Sequence, residues 1–137
     1  MSTKSFNDEY KTAWKGKTSK TTKDWGEEIW IGSLHQIHAK VLFLKAGCFT
    51  SLKYYSNKNE VLFVRSGAAV IEYSSEEYIR YPGMMELLTT ELKSGDVFFV
   101  QSGCPYRISA QTDCEIFEMG DNTMSLPVRI EQDLEQG

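Results

Sequence analysis

The chain has 137 residues, of which 41% are hydrophobic and 25% charged, and is therefore long enough for one globular domain with its own core. Its net charge of −4 argues against nucleic acid or an anionic membrane as the main partner. The apolar runs are too short to cross a bilayer and no signal peptide is visible, so we expect a cytoplasmic protein. The three cysteines lack metal-type spacing and are expected to be reduced thiols.

Residues 1–24 differ in composition from the rest of the chain. Six lysines occur there among many serines and threonines, without a sustained hydrophobic period. This composition is typical of a mobile polar arm. Because Tyr10 and Trp14 are apolar, the alternative is an arm that crosses to a partner subunit. We therefore assign residues 25–137 to a single folded domain.

Short runs that are typical of strands follow from residue 25, with turns of Gly, Pro, Ser and Asp between them. Residues 84–93 fit neither the helical nor the strand period. No long amphipathic helix is apparent, and strands spaced about ten residues apart predict an all-β antiparallel sandwich or barrel. The predicted strands outside residues 47–67 are 28–31, 36–44, 69–73, 78–81, 97–100, 106–110 and 114–119.

Two further apolar runs lie within residues 47–67 and are joined by a polar turn. Runs of this length, bounded by glycine and asparagine, predict the two strands of a β-hairpin. Side-chain alternation places Lys53, Tyr55 and Glu60 on one face with apolar neighbours. An ammonium, a phenol and an acid on such a face indicate a pocket rather than a solvated surface.

The glycine spacing of this segment resembles that of the cupins, which have a double-stranded β-helix (jelly-roll barrel) fold. Their first block reads Gly, five residues, His-x-His, three or four residues, Glu, six residues, Gly. Their second block reads Gly, five residues, Pro-x-Gly, two residues, His. The matching residues here are Gly47, Lys53, Tyr55, Glu60 and Gly67 in the first block, and Gly95, Gln101, Gly103 and Tyr106 in the second.

The flanking segments narrow the resemblance to one branch of the cupins. Residues 23–30 are similar to the first segment of the type II mannose-6-phosphate isomerase branch, and residues 128–133 resemble its end. The likeness thus covers residues 23–133. It implies a jelly-roll domain, a homodimer and a small-molecule ligand related to sugars.

The positions that hold the metal ligands in the cupin pattern are present in this chain, but none of them is a histidine. Lys53, Tyr55 and Tyr106 replace the three histidines, and Glu60 is the one position of ligand type that is retained. A protonated ammonium has no lone pair and repels a cation. We therefore expect no metal cofactor, and a divalent metal is the disfavoured alternative. We also predict that Lys53 replaces the charge of the metal and pairs with Glu60.

The predicted ligand pocket consists of Lys53, Tyr55, Glu60, Gln101 and Tyr106. The first hypothesis is a cupin that binds a sugar or sugar derivative without the usual metal site. The alternative is a sugar-phosphate isomerase or epimerase with a substituted or unusual metal site. In that enzyme Tyr55 or Tyr106 acts as a general acid, and Lys53 lowers the pKa of the phenol. A third hypothesis is a non-catalytic structural or interaction module.

Other polar residues are given ordinary structural roles. His35 and His38 would face opposite sides of one strand, which is poor chelating geometry, although either could be a substitute ligand displaced by one strand. Glu118 is predicted to be a solvated charge, and Arg107 to point out of the barrel. Cys104 is predicted to be a plain thiol because no base is evident near it.

Overall fold

The computed structural model describes residues 10–122 and 124–130, which form eleven strands and one four-residue helix. No helix in these ranges is both long enough and apolar enough to span a membrane. In chain order the elements are β1 (Ser19–Lys23), β2 (Gly26–Leu34), β3 (Ile37–Leu44), β4 (Lys53–Tyr55), β5 (Glu60–Ser66), β6 (Ala68–Tyr73), α1 (Glu77–Arg80), β7 (Leu88–Lys93), β8 (Val97–Val100), β9 (Tyr106–Ala110), β10 (Cys114–Gly120) and β11 (Pro127–Arg129).

The strands form two antiparallel sheets. Sheet A has the order β1-β2-β3-β10-β5-β8, and sheet B has the order β11-β4-β9-β6-β7. From β3 to β6 and again from β7 to β11, every connection passes from one sheet to the other. This winding is the jelly-roll arrangement, and it confirms the all-β fold class predicted from the sequence.

The predicted hairpin within residues 47–67 is wrong in its pairing. Both strands exist, but β4 pairs with β9 and β11 in sheet B, while β5 pairs with β8 and β10 in sheet A. The turn at residues 56–59 therefore crosses between the sheets. Both strands still direct alternate side chains into the same interior, because the inner faces of the two sheets oppose each other.

The hydrophobic core lies between the two inner faces. On β5, Leu62 and Val64 are fully buried, and their neighbours on the outer face are partly exposed. Ile116 of β10 packs beside them, and Ile71 and Ile108 contribute from sheet B. This alternation is the period-two pattern of strands with one buried face.

Gly67 shows why one glycine of the cupin-like frame is required. Its φ angle is +84°, a conformation that residues with a side chain rarely adopt. A Cβ atom there would lie 2.2 Å from the carbonyl oxygen of Asp113. The turn between β5 and β6 can therefore pass closely beside the start of β10 only with glycine at this position.

Several boundaries differ from the prediction. Strands 97–100 and 106–110 are confirmed, but residues 77–80 form the helix α1 instead of a strand. The ambiguous segment 84–93 becomes a strand only from Leu88. Sheet A begins at Ser19, inside the predicted polar arm, because β1 pairs with β2 along its whole length. Residues 1–9 of that arm lie outside the described residues.

Candidate functional site

A cluster of buried charged and polar side chains occupies the inner face of sheet A beside the hydrophobic core. We call it the polar cluster. Its residues are almost completely withdrawn from solvent, apart from a partly buried Lys40, and a buried charge is costly unless it has a partner. The members are His38 and Lys40 of β3, Lys58 of the turn before β5, Glu60 of β5 and Glu118 of β10.

The strand register brings these residues together. His38 of β3 and Glu60 of β5 both pair with Gly120, which lies on β10 between them. A Cβ atom on Gly120 would lie 2.7 Å from Cε1 of His38 and 3.0 Å from Cε of Lys58. The glycine therefore leaves the space that His38 and Lys58 occupy. Glu118 points inward two residues earlier on β10.

Lys58 connects the two buried carboxylates. Its Nζ atom lies 3.1 Å from Oε2 of Glu60 and 3.7 Å from Oε2 of Glu118. Lys40 contributes a second cation, with its Nζ atom 3.5 Å from Glu118 and 3.3 Å from Glu28. Two ammonium groups thus face three carboxylates at the centre of the site, and each buried charge has an opposite charge nearby.

The predicted pairing of Lys53 with Glu60 is wrong. No described carboxylate lies within 4.0 Å of the ammonium of Lys53, which lies over the ring of Tyr106 at 4.8 Å from its centroid. Glu60 is paired with Lys58 instead. Lys58 belongs to the predicted polar turn, and this turn carries its side chain inward because it crosses between the two sheets.

The two buried carboxyl groups have pKa values that move in opposite directions. Burial raises the pKa of Glu60, the nearby Glu118 raises it further, and the result is about 7 despite Lys58 and Tyr106. Burial also acts to raise the pKa of Glu118, but His38 and the two lysines outweigh it and hold this pKa below its usual value. Glu118 therefore carries the permanent negative charge, and Glu60 is the group that takes up a proton.

Both tyrosines of the site are held in the protonated form. Burial raises the pKa of Tyr106 well above its usual value, and Glu118 and Glu60 raise it further. The pKa of Tyr55 is raised by the same causes, and the ammonium of Lys58 lies 4.1 Å from the centroid of its ring. The prediction that Lys53 lowers a phenol pKa is therefore wrong. The Tyr106 hydroxyl donates a 2.7 Å hydrogen bond to Oε1 of Glu60.

One trio of side chains has the donor types of a metal site. His38, Glu60 and Glu118 each offer a ligand atom, and these atoms lie within 4.8 Å of one another. Both ring nitrogens of His38 lack a hydrogen-bond partner, and Oε2 of each carboxylate is contacted by the Lys58 ammonium without hydrogen-bonding geometry. However, the ammonium of Lys58 already lies between the two carboxylates, so a divalent ion would have to displace it. The trio therefore has the donor atoms of a metal site, but the Lys58 ammonium already supplies the positive charge that its carboxylates need.

A cavity of about 480 Å³ opens beside the polar cluster, between the inner strands of the two sheets. Lys53, Tyr55 and Tyr106 line it, as do Lys40 and Glu118 of the cluster. Glu60 lies behind this wall, in contact with the hydroxyl of Tyr106. Gln101, the remaining predicted pocket residue, is exposed in the turn after β8 and does not line the cavity.

Three residues were assigned wrongly from the sequence. Glu118 is 2% exposed instead of solvated. His38 is buried in the site instead of being an ordinary sheet histidine, and its place in the trio with Glu60 and Glu118 favours the alternative of a substitute ligand displaced by one strand. Arg107 is also buried, forms an ion pair with Glu72 and lies 5.1 Å from the ring centroid of Phe49. The burial of Glu118 could have been predicted from the sequence. It lies two residues after the buried Ile116 on the same strand, so both side chains point to the same face.

The fold matches solved structures of low sequence identity. A variant of oxalate decarboxylase from Bacillus subtilis matches with 18% identity and a TM-score of 0.66 over 77% of this chain and 27% of that one. The capsular polysaccharide assembling protein CapF from Staphylococcus aureus matches with 16% identity and a TM-score of 0.71 over 87% and 33%. An 11S globulin from Wrightia tinctoria matches with 13% identity and a TM-score of 0.58 over 69% and 22%.

These matches establish the cupin jelly-roll fold of the chain. The chain spans about a third or less of the length of each of these proteins. No protein-family model and no curated protein sequence matches it. Identities this low show the fold alone, so the function has to be argued from the site.

Proposed function

We propose that this chain is a metal-independent cupin domain that binds a small molecule, a sugar or sugar derivative, in the cavity beside the polar cluster. The observation that carries the proposal is the ammonium of Lys58, which lies between the carboxylates of Glu60 and Glu118. A lysine in this place supplies the positive charge that a metal would otherwise bring, and needs no further ligand.

Metal-independent binding is also supported by the residues that stand where cupins have their metal ligands. Lys53, Tyr55 and Tyr106 offer an ammonium and two protonated phenols, none of which is a good donor to a divalent ion. Their aromatic faces and hydrogen-bonding groups are instead suited to a polar small molecule. The likeness of residues 23–30 and 128–133 to the mannose-6-phosphate isomerase branch favours a ligand of the sugar class.

A thermal-shift screen tests this proposal. Neutral sugars, sugar acids and sugar phosphates are added in the presence of EDTA, and again with Mn²⁺ or Zn²⁺. We expect at least one compound to raise the melting temperature in EDTA, because a ligand that binds only the folded state stabilises it. A shift that appears only with metal, or no shift from any compound, would contradict the proposal.

A pair of variants locates the binding. Ser51 lines the cavity and is exposed, so Ser51→Trp should fill the cavity and abolish the shift. Ser33 is exposed on β2 outside this cavity, so Ser33→Trp is the matched control and should leave the shift unchanged. If both variants respond like the unmodified protein, the ligand binds elsewhere.

One observation favours a second candidate, a sugar-phosphate isomerase or epimerase. Glu60, with a pKa of about 7, accepts a hydrogen bond from Tyr106, which lines the cavity. A carboxyl group that titrates near neutrality can accept and release a proton during catalysis. Incubation with mannose 6-phosphate in D₂O should then place deuterium on the sugar, and Glu60→Gln should stop the exchange. Absence of exchange with the unmodified protein rejects this candidate.

We also propose that the chain forms a homodimer through the outer face of sheet A. Met119, Val61 and Phe99 lie side by side on this face in consecutive strands. Phe99 is 74% exposed and Met119 is 39% exposed. An apolar row of this kind on a sheet surface is typical of an interaction face, and a second copy of the chain would cover it with an identical row.

A further inference from the structure

We propose that the cavity selects an anionic ligand, and that Lys53 and Arg129 together bind its carboxylate or phosphate group. This inference rests on the proposed small-molecule function and adds the charge class of the ligand. It is carried by the juxtaposition of two cations at the wall of the cavity.

Lys53 and Arg129 are direct cross-strand neighbours. They pair in the antiparallel ladder between β4 and β11, so their side chains lie on the same face of sheet B. On its other side Lys53 pairs with Tyr106 of β9, and all three residues line the cavity. Like charges directly opposite each other destabilise a sheet. An anion between them would remove this repulsion.

Neither cation has a counter-ion among the described residues. The other cations of this region do have one, since Lys40 pairs with Glu28 and Glu118, and Lys58 pairs with Glu60. No described carboxylate lies within 4.0 Å of Lys53 or Arg129. Burial lowers the pKa of Lys53, and the attraction of Glu118 and Glu60 offsets this only in part. The ammonium of Lys53 is therefore incompletely compensated.

The acidic residues of the cavity wall do not cancel this charge. Glu28 and Glu118 are already paired with lysines, which leaves Asp24, next to Lys23, as the remaining acid among the described residues of the wall. The Lys53 side of the cavity therefore carries excess positive charge in a chain whose net charge is −4. A concave site that is positively charged, in a chain whose net charge is negative, attracts and holds an anionic ligand.

The two cations offer complementary recognition of an oxyanion. The guanidinium of Arg129 presents a planar fork that fits two oxygens of a carboxylate or phosphate, and the ammonium of Lys53 acts as a point charge. The cavity volume of about 480 Å³ is within the range of small-molecule pockets. A ligand of the size of a sugar acid or a sugar phosphate suits both the volume and the charge.

Isothermal titration calorimetry with four probes tests the inference. The probes are glucose, glucuronate, glucose 6-phosphate and inorganic phosphate, each titrated into the full chain at low and at high NaCl concentration. We expect an anionic probe to bind roughly tenfold or more tightly than glucose, with an affinity that falls as salt is added. The comparison of glucuronate with the two phosphates shows which oxyanion the site accepts.

Charge-removing variants show where the anion binds. Lys53→Gln and Arg129→Gln should each weaken the anionic probe roughly tenfold and leave glucose unaffected. Lys93→Gln and Arg65→Gln remove the same charges from exposed positions outside the cavity and should have no effect. Because Arg129 is exposed, Arg129→Gln tests the inference at a second position whose replacement leaves the buried part of the site unchanged.

The other outcomes separate the inference from the proposed function. If glucose binds as tightly as its anionic relatives, the inference is overturned and the sugar-binding function stands. If inorganic phosphate binds as tightly as glucose 6-phosphate and glucose does not bind, the anion site stands and the sugar-binding function is rejected. If the test variants behave like Lys93→Gln, or if no probe binds, the inference is overturned.

Discussion

At the scale of single residues, the site is organised by the ammonium of Lys58. Breaking a buried ion pair is strongly destabilising because it leaves an uncompensated charge. Lys58 is in contact with both Glu60 and Glu118, and Lys40 contributes a second cation to Glu118. A cation delivered by the chain is permanently present, whereas a metal has to be acquired.

The titration of Glu60 predicts how stability depends on pH. Its pKa is raised from 4.5 in the unfolded chain to about 7 in the folded protein. Between these values the folded state binds more protons than the unfolded state, so the contribution of Glu60 to stability falls as pH rises from about 4.5 to about 7. Glu118 has a lowered folded pKa, so around pH 4.5 it contributes a slope of the opposite sign. Towards pH 7 Glu118 is ionised in both states, and the slope of Glu60 remains.

Urea unfolding at a series of pH values measures this effect. The unmodified protein should lose part of its free energy of unfolding across the window, and Glu60→Gln should reduce that loss. Glu115→Gln, a change on the outer face of β10, is the matched control and should keep the original slope. Identical slopes in all three proteins would show that Glu60 does not titrate as described.

Replacement of Lys53 should separate stability from binding. Lys53→Gln removes the repulsion from Arg129 and the cost of burying an ammonium, so the free protein should become more stable by up to about 1 kcal/mol. Ligand binding should weaken in the same variant, which is the usual cost of a site built for function. Chemical denaturation of the unliganded protein measures the first effect.

Lys93→Gln serves as the control for this measurement, since an exposed surface change is expected to alter stability by less than about 0.5 kcal/mol. A loss of stability in Lys53→Gln would mean that the contact of its ammonium with the Tyr106 ring outweighs the repulsion from Arg129 and the cost of burial.

At the scale of the elements, β10 provides the space for the polar cluster. Gly120→Ala would place a methyl group 2.7 Å from Cε1 of His38 and 3.0 Å from the carbonyl oxygen of Asn59. Overpacking of a buried site costs about 1 to 3 kcal/mol, so we expect a loss of stability of that size. Gly16→Ala is the control, because a Cβ atom there has no neighbour within 4 Å.

Guanidinium unfolding of these two glycine variants gives the comparison. If Gly120→Ala is as stable as Gly16→Ala, then His38 and Lys58 have room to move aside, and the contact of Lys58 with the carboxylates is less constrained than the register of β10 implies.

The proposed homodimer depends on the apolar row on the outer face of sheet A. Phe99→Glu places a charge in the middle of the apolar row formed with Val61 and Met119, and a dimer held by that row should dissociate. Light scattering across a concentration series measures the mass. Leu88→Glu, at a 58% exposed position on β7 of sheet B, is the control and should remain dimeric. A monomeric unmodified protein would rule out the proposed dimer.

At the scale of the whole molecule, the sequence predicts the strands better than their partners. The runs at 97–100 and 106–110 follow from local composition and from the turns beside them. Whether β4 pairs with β5 is decided by long-range contacts, so the hairpin was inferred from proximity in sequence alone. The glycine spacing predicted the fold more reliably than the proximity of the strands did, because each of these glycines constrains the backbone directly.

The candidate site was harder to predict for the same reason. The chain supplies Glu60 and Glu118 from segments 58 residues apart, and only the order of β3, β10 and β5 brings them together. The in-phase position of Glu118 beside Ile116 predicts an inward side chain but does not identify its neighbours. The burial of Lys58 could not be predicted from the sequence, because a lysine in a polar turn is normally solvated.

Metal content and metal uptake test whether Lys58 takes the place of a metal. The measurement is the transition-metal content of the unmodified protein and of Lys58→Ala after dialysis against Zn²⁺, with Lys45→Ala as the exposed control. We predict negligible tightly bound metal in the unmodified and control proteins, and uptake by Lys58→Ala, where His38, Glu60 and Glu118 become accessible to the ion. One tightly bound metal per chain in the unmodified protein, lost in Glu60→Gln, would show that Lys58 does not replace a metal.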